Sequence, residues 1–159
     1  MTGARMHLAE LNIAEWKIDP NSLRAQPFMR AIDKVNAVAD RSPGFVWRHQ
    51  DESGNAISTD HPWSDQNVIV NMSVWESAEA LEHYVWNTVH RAIYRRKDEW
   101  FAHMRMAHFV MWWVEPGHIP TLDEAKERLD HLHAHGNTDT AFGWEHLPHV
   151  KLWQSQQCG

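Results

Sequence analysis

A histidine followed by three arginines, His90, Arg91, Arg95 and Arg96, is the first place to look for chemistry in this chain. Stepped at ~100° per residue, Leu81, Val85, Val89, Ala92, Ile93 and Trp100 share one apolar arc of a helix, and Arg96 falls in its middle. His83, Asn87, His90 and Tyr94 form a separate narrow polar stripe. An imidazole at His90 could move a proton near neutral pH. A guanidinium at Arg96, aimed into a cavity, could bind a carboxylate or enolate oxygen, and Arg91 would add to the anion site. A buried arginine needs a partner. The sequence offers Glu10, Glu82 or an anionic ligand. The plainer reading of both features is a solvated helix face with a snorkelling arginine.

Tryptophan and histidine are abundant, with 10 and 13 copies, enough to build an aromatic-walled pocket with polar ends. Trp47, Trp112 and Trp113 lie on adjacent strand candidates, and the last two must point to opposite faces. Core and dimer packing is the bland alternative for each. His131, His133 and His135 imitate a metal motif, but no further ligand is fixed beside them and imidazoles suit a helix C-terminus, so no metal is expected. No glycine-rich phosphate loop, nucleophile elbow or Ser/His/Asp pattern is visible.

The elements that must position these groups follow from periodicity. Residues 6–14 alternate as a strand, with His7, Ala9, Leu11 and Ile13 on one face and Met6, Leu8, Glu10 and Asn12 on the other. A helix from Pro27 to about Asp40 is stopped by Ser42-Pro43-Gly44. Strands follow at 45–50 and 68–75. Ser77 caps a helix that reaches at least Arg95, and His108 to Val114 is the fourth strand. Thr121 and Glu124 form a capping box for a third helix that ends at Gly136. The order β-α-β-β-α-β is the split βαβ, ferredoxin-like arrangement, an α+β fold with an extra C-terminal helix. Residues 1–136 make the domain, and 137–159 read as a polar tail. Two helices cover one sheet face, and a second copy of the chain is the expected cover for the other.

Several stretches carry a family resemblance: Ser42-Pro-Gly-Phe-Val-Trp-Arg48, Asn71-Met-Ser-Val-Trp-Glu-Ser77, His90-Arg-Ala-Ile-Tyr-Arg-Arg96, Trp112-Trp-Val-Glu-Pro-Gly-His118 and Ala125-Lys-Glu-Arg-Leu129. With them the chain resembles the dimeric α+β barrel superfamily of antibiotic-biosynthesis monooxygenases, and within it an uncharacterised bacterial branch known as a domain of unknown function. The resemblance implies a homodimer with sheets packed face to face and a ligand cavity between each sheet and its own helices. Its haem-degrading members use a first-strand asparagine, then a tryptophan and a histidine on the second helix. Asn12 stands at the first position, but Tyr84 and Tyr94 stand at the other two. The resemblance therefore implies no cofactor, with haem binding through His90 as the remaining cofactor reading.

The expected function is that of a small-molecule enzyme without a metal, a monooxygenase or an isomerase/cyclase working on an aromatic or polyketide-like substrate. His90 and Arg96 are its expected catalytic residues; Trp47, Asn71, Tyr94, Trp112 and Arg91 its expected ligand-binding residues. The alternative is a non-catalytic haem- or metabolite-binding dimer. A net charge of −6 speaks against nucleic acid. No apolar run is long enough for a membrane span, and the single cysteine, Cys158, suits a reducing cytoplasm without a disulfide.

Overall fold

A computed structural model describes residues 6–50, 60–87, 89–104 and 106–150, without the side chains of Val89 and His90. Four antiparallel strands, β1 (His7–Glu15), β2 (Phe45–Arg48), β3 (Val68–Trp75) and β4 (Phe109–Val114), form one sheet in the order β2-β3-β1-β4. Helix α1 (Gln26–Arg41) joins β1 to β2, and α2 (Ala78–Asn87) with α3 (Val89–Arg95) lies between β3 and β4. Helix α4 (Leu122–His135) follows β4. This is the ferredoxin-like order expected from the sequence. The second helical region stops at Arg95, where a short 3₁₀ turn (Lys97–Glu99) takes over.

Local chemistry sets these boundaries. Pro27 sits in the first turn of α1, where its missing N–H removes nothing the helix uses. Thr121 Oγ1 accepts the Glu124 backbone N–H at 3.1 Å and starts α4. Gly44 has φ +82°, and a Cβ there would stand 2.5 Å from the Ala80 Cβ. Both facts restrict the position to glycine and let β2 enter against α2.

Strand β1 is central, so its two faces see two different cores. Ala9, Leu11 and Ile13 join Met72, Val74, Val110 and Trp112 on one face, and Leu8 joins Trp75, Leu81, Tyr84, Met111 and Phe142 on the other. The first face corrects the expectation of an open surface awaiting a second copy. Ala125, Leu129 and Leu132 of α4 pack onto it, and Ala9, Leu11, Val110 and Trp112 are fully buried within the single chain. A heptad-like apolar spacing on α4 supplies this cover.

The segment after Gly136 is also not a polar tail as far as residue 150. Ala141, Phe142, Trp144, Leu147 and Val150 are buried. Met111 and Phe142 exchange two backbone hydrogen bonds of 2.8 and 3.0 Å, which fastens this segment along β4. Cys158 lies outside the described residues. No helix is long and apolar enough to cross a membrane among the described residues.

Candidate functional site

Strand β1 crosses the sheet centre carrying Glu10 and Asn12 on the same face as Leu8. That face turns toward α2 and α3, and beyond Glu10 it opens into a cavity of about 550 Å³. Five aromatic side chains line it: Tyr84 and Trp86 from α2, Tyr94 from α3, Phe109 from β4 and Trp144 from the C-terminal segment. Trp86 lies edge-on to Tyr94 with ring centroids 5.2 Å apart, and Phe109 stacks on Trp144 at 5.5 Å. Aromatic rings from several elements around one cavity suit a flat organic molecule. His108 and His133 stand on the same wall system, with Met106 at 56% exposure among the lining residues.

Glu10 is the unusual group. Only 6% of it is exposed, and burial raises its pKa from the ordinary 4.5 to about 8, against a smaller lowering by a hydrogen bond with Ser73. Ser73 is its cross-strand neighbour on β3. Trp75 Nε1 donates to Ser73 Oγ at 2.8 Å, which leaves the serine hydroxyl proton free to point at the carboxyl. The other carboxyl oxygen, Oε2, is buried and has no hydrogen-bond partner among the described residues. At pH 7 the group is therefore a carboxylic acid, held at one oxygen and unpaired at the other.

Two further titratable groups line the same cavity. His108 titrates below the ordinary imidazole value of 6.5, first because of burial and then because of nearby Lys97 and His103. A hydrogen bond between its ring and the Met106 backbone works in the opposite direction. A neutral ring tied to a backbone carbonyl keeps its other nitrogen as a lone-pair base. Burial also pushes the Tyr84 phenol well above its ordinary range, and its hydroxyl donates to the Val35 carbonyl at 3.3 Å. The cavity thus joins an acid whose pKa is raised to a base whose pKa is lowered, the pattern that separates acid and base roles.

The residues expected from sequence divide sharply. Tyr94 and Asn12 line the cavity. Arg96 does not. It is exposed and bonds Glu99 through Nε at 2.7 Å and Nη2 at 3.0 Å, with its guanidinium carbon 4.9 Å from the Trp100 ring centroid. The arc that placed Arg96 inward assumes a helix continuing past it, whereas α3 ends at Arg95. Trp47 and Trp112 belong to the core on the opposite sheet face, where Trp112 Nε1 donates to Glu124 Oε2 at 2.9 Å. Asn71 is exposed, and neither it nor Arg91 is among the lining residues. Arg91 is half-buried, with an Nε that has no partner among the described residues. The His90 side chain lies outside the described residues.

His108 has no role in the sequence reading, and Glu10 has one only as a candidate partner for Arg96, which instead bonds Glu99. A signal for Glu10 exists: the ferredoxin-like order makes β1 central, so a charged residue midway along it is buried on either face. Two of the α4 imidazoles have protein partners. His133 Nε2 bonds the Ala107 carbonyl oxygen, and His131 Nε2 lies 3.2 Å from Thr138 Oγ1. Among the described residues no group of three or more His, Cys, Asp or Glu could hold a metal ion.

A family model described as a domain of unknown function (DUF3291) matches residues 7–158. No curated protein matches the chain. Among solved structures, a conserved protein from Methanosarcina mazei Go1 is similar at 9% identity and a TM-score of 0.50, over 70% of this chain and 95% of that one. That likeness is one of fold. SnoaB, a cofactor-independent oxygenase from Streptomyces nogalater, matches at 15% identity and a TM-score of 0.45, over 75% and 99%. A monooxygenase from the gene ActVA-Orf6 of Streptomyces coelicolor, in complex with nanaomycin D, matches at 18% and 0.40, over 74% and 95%.

Proposed function

The chain belongs to the DUF3291 family, and from that premise we propose that it is a small-molecule enzyme that moves protons on a flat, carbonyl-bearing substrate. One observation carries the reading: a buried carboxyl, protonated at neutral pH and unpaired at Oε2, lines an aromatic cavity. Groups tuned toward the working pH concentrate at sites of proton transfer.

The chemistry balances without a co-reactant. The neutral His108 ring takes a proton from a carbon next to the carbonyl. Glu10 gives its own proton to the carbonyl oxygen as charge develops there, which yields an enol. The enol O–H proton returns to Glu10 and His108 delivers its proton to a different carbon, which completes an isomerisation; in a cyclisation the enol carbon instead attacks a second carbonyl of the substrate, whose oxygen takes the proton held on His108. In a monooxygenase the deprotonated substrate would instead meet dioxygen, and the first proton transfer would be the same. Glu10 and His108 here take the roles that sequence reasoning gave to Arg96 and His90.

The test needs no natural substrate. Exchange of the acidic carbon-bound protons of 2-tetralone for deuterium is followed by NMR. The wild-type chain should accelerate it over buffer, and Glu10→Gln and His108→Ala should each lose ~100-fold or more of that acceleration, with circular dichroism unchanged. Equal exchange in wild type and Glu10→Gln would remove the proposal. A chain that binds ketones and exchanges nothing would be a carrier.

The homodimer implied by the family resemblance is a separate part of this reading. It would use a surface other than the sheet face beneath α4. Sedimentation at micromolar concentration should give twice the 18.6 kDa chain mass. A single 18.6 kDa species would end the assembly.

A further inference from the structure

We infer that the occupant of the cavity is an uncharged, flat molecule that accepts two hydrogen bonds, one from the Glu10 carboxyl and one from the Trp86 indole N–H. This rests on the reading of the cavity as a ligand site, and it adds the polarity and charge that the ligand must have.

Two cavity-lining side chains are more than nine-tenths buried and still carry an unpaired polar atom. Glu10 is 6% exposed and Trp86 is 5% exposed. Neither Glu10 Oε2 nor Trp86 Nε1 has a hydrogen-bond partner among the described residues. Leaving a buried polar group without a hydrogen bond is costly, and a fold seldom keeps two such groups in one cavity without use. Three fully buried tryptophans show the contrast: Trp75, Trp100 and Trp112 each direct Nε1 to an acceptor.

Both unpaired groups act as donors. An indole nitrogen can only donate. The Ser73 hydroxyl proton is directed at the Glu10 carboxyl because Ser73 Oγ already accepts from Trp75, so the serine serves one carboxyl oxygen as a donor. The acid's own proton is then carried on the unpaired Oε2. Two donors call for two acceptors on the ligand.

The charge of the ligand follows from the rest of the wall. The described lining residues include no lysine or arginine. An anion placed between Tyr84, Trp86, Phe109 and Trp144 would lose its water with no lysine or arginine on the described wall to pair with, and Lys97 behind the wall is already engaged, its Nζ 3.6 Å from the Tyr94 ring centroid. A cation would find one exposed carboxylate, Glu145, which already accepts from Asn137 Nδ2 at 2.9 Å. Neutral carbonyl oxygens on an aromatic frame fit both the donors and the rings.

The test compares matched probes by isothermal titration at pH 6.5. The probes are the dimethyl esters of naphthalene-1,4- and naphthalene-2,6-dicarboxylic acid, the two free dicarboxylates, and naphthalene itself. At least one ester should bind ~10-fold or more tightly than naphthalene and than its own dicarboxylate. Trp86→Phe keeps the ring and loses the donor, and should bring ester affinity down by about fivefold while leaving naphthalene affinity alone. Glu10→Met should do the same, and Glu10→Gln, which keeps an N–H donor, should restore the ester. Dicarboxylates binding more tightly, or naphthalene binding as well as both esters, would overturn this ligand class and leave the cavity as a ligand site. Unchanged ester affinity in both Trp86→Phe and Glu10→Met would overturn it as well. Failure of every probe would overturn the ligand class and the cavity reading together.

Discussion

The wild-type chain should lose stability steeply between pH 5 and pH 8, and Glu10→Gln should remove most of that loss. Burial raises the Glu10 carboxyl from 4.5 to about 8. In the unfolded chain the group ionises near its ordinary value, while in the folded chain it stays protonated until about pH 8. The unfolded state therefore binds fewer protons across that window, and stability falls as pH rises. The full contribution is present below 4.5, declines through the window and is gone above the folded value. At ~1.4 kcal/mol per pH unit, the window from 4.5 to about 8 caps the effect at about 5 kcal/mol. The amide of Glu10→Gln cannot ionise, so the difference in unfolding free energy between variant and wild type should open with pH and level off near pH 8. Urea titrations at pH 5.0, 6.5 and 8.5 measure it. Parallel curves for the two proteins would mean that Glu10 ionises normally, and the acid assigned to the cavity would be lost with it.

Trp112→Ala should unfold the chain about 10 °C lower without removing a cavity-lining side chain. Trp112 is fully buried between the sheet and α4, and its Nε1 reaches Glu124 across that interface. Removal of so large a side chain from a packed core costs ~3–5 kcal/mol. At ~2–4 °C per kcal/mol for a chain of this size, a drop of about 10 °C follows. Glu124 keeps its contacts with His118 and with Thr121, so the start of α4 should survive. Trp112 lies on the Ala9 face, opposite Glu10, so affinity for a neutral naphthalene ester should stay within about twofold. Retained stability with lost binding would put Trp112 back into a ligand site, where sequence reasoning first placed it.

The elements were legible because they are signalled locally. Alternation marks β1, Ser42-Pro43-Gly44 stops α1, and Thr121 with Glu124 starts α4. The site was only half legible. Asn12 and Tyr94 follow from strand and helix position. Arg96 misled because helical stepping was carried one residue beyond the last helical residue. Glu10 enters the sequence reading only as a carboxylate partner for Arg96, because its own burial appears only when β1 is placed at the sheet centre with helices on both faces. Cover of the Ala9 face was given to a second copy because the packing partner of α4 is set by tertiary geometry and not by its own pattern. Ala141, Phe142 and Trp144 sit among polar residues with no period, so nothing local announced that they would be buried.

The strap that Phe142 forms along β4 bears on how this protein stays separate from its neighbours at high concentration. A sheet invites templated growth wherever a long, flat edge offers free amides. Among the described residues the sheet has two edges, β2 and β4. Phe142 uses both backbone groups of Met111 midway along β4, and Trp113 and His146 pack against its ring. The β2 edge is only four residues long, and its register slips between Phe45 and Trp47. A second molecule seeking to add a strand meets an occupied lane on one side and a short, kinked one on the other. Segment 138–150 is thereby a guard against fibrous self-association, and conditions that peel it away should turn a clear solution into an aggregating one before the sheet itself has melted.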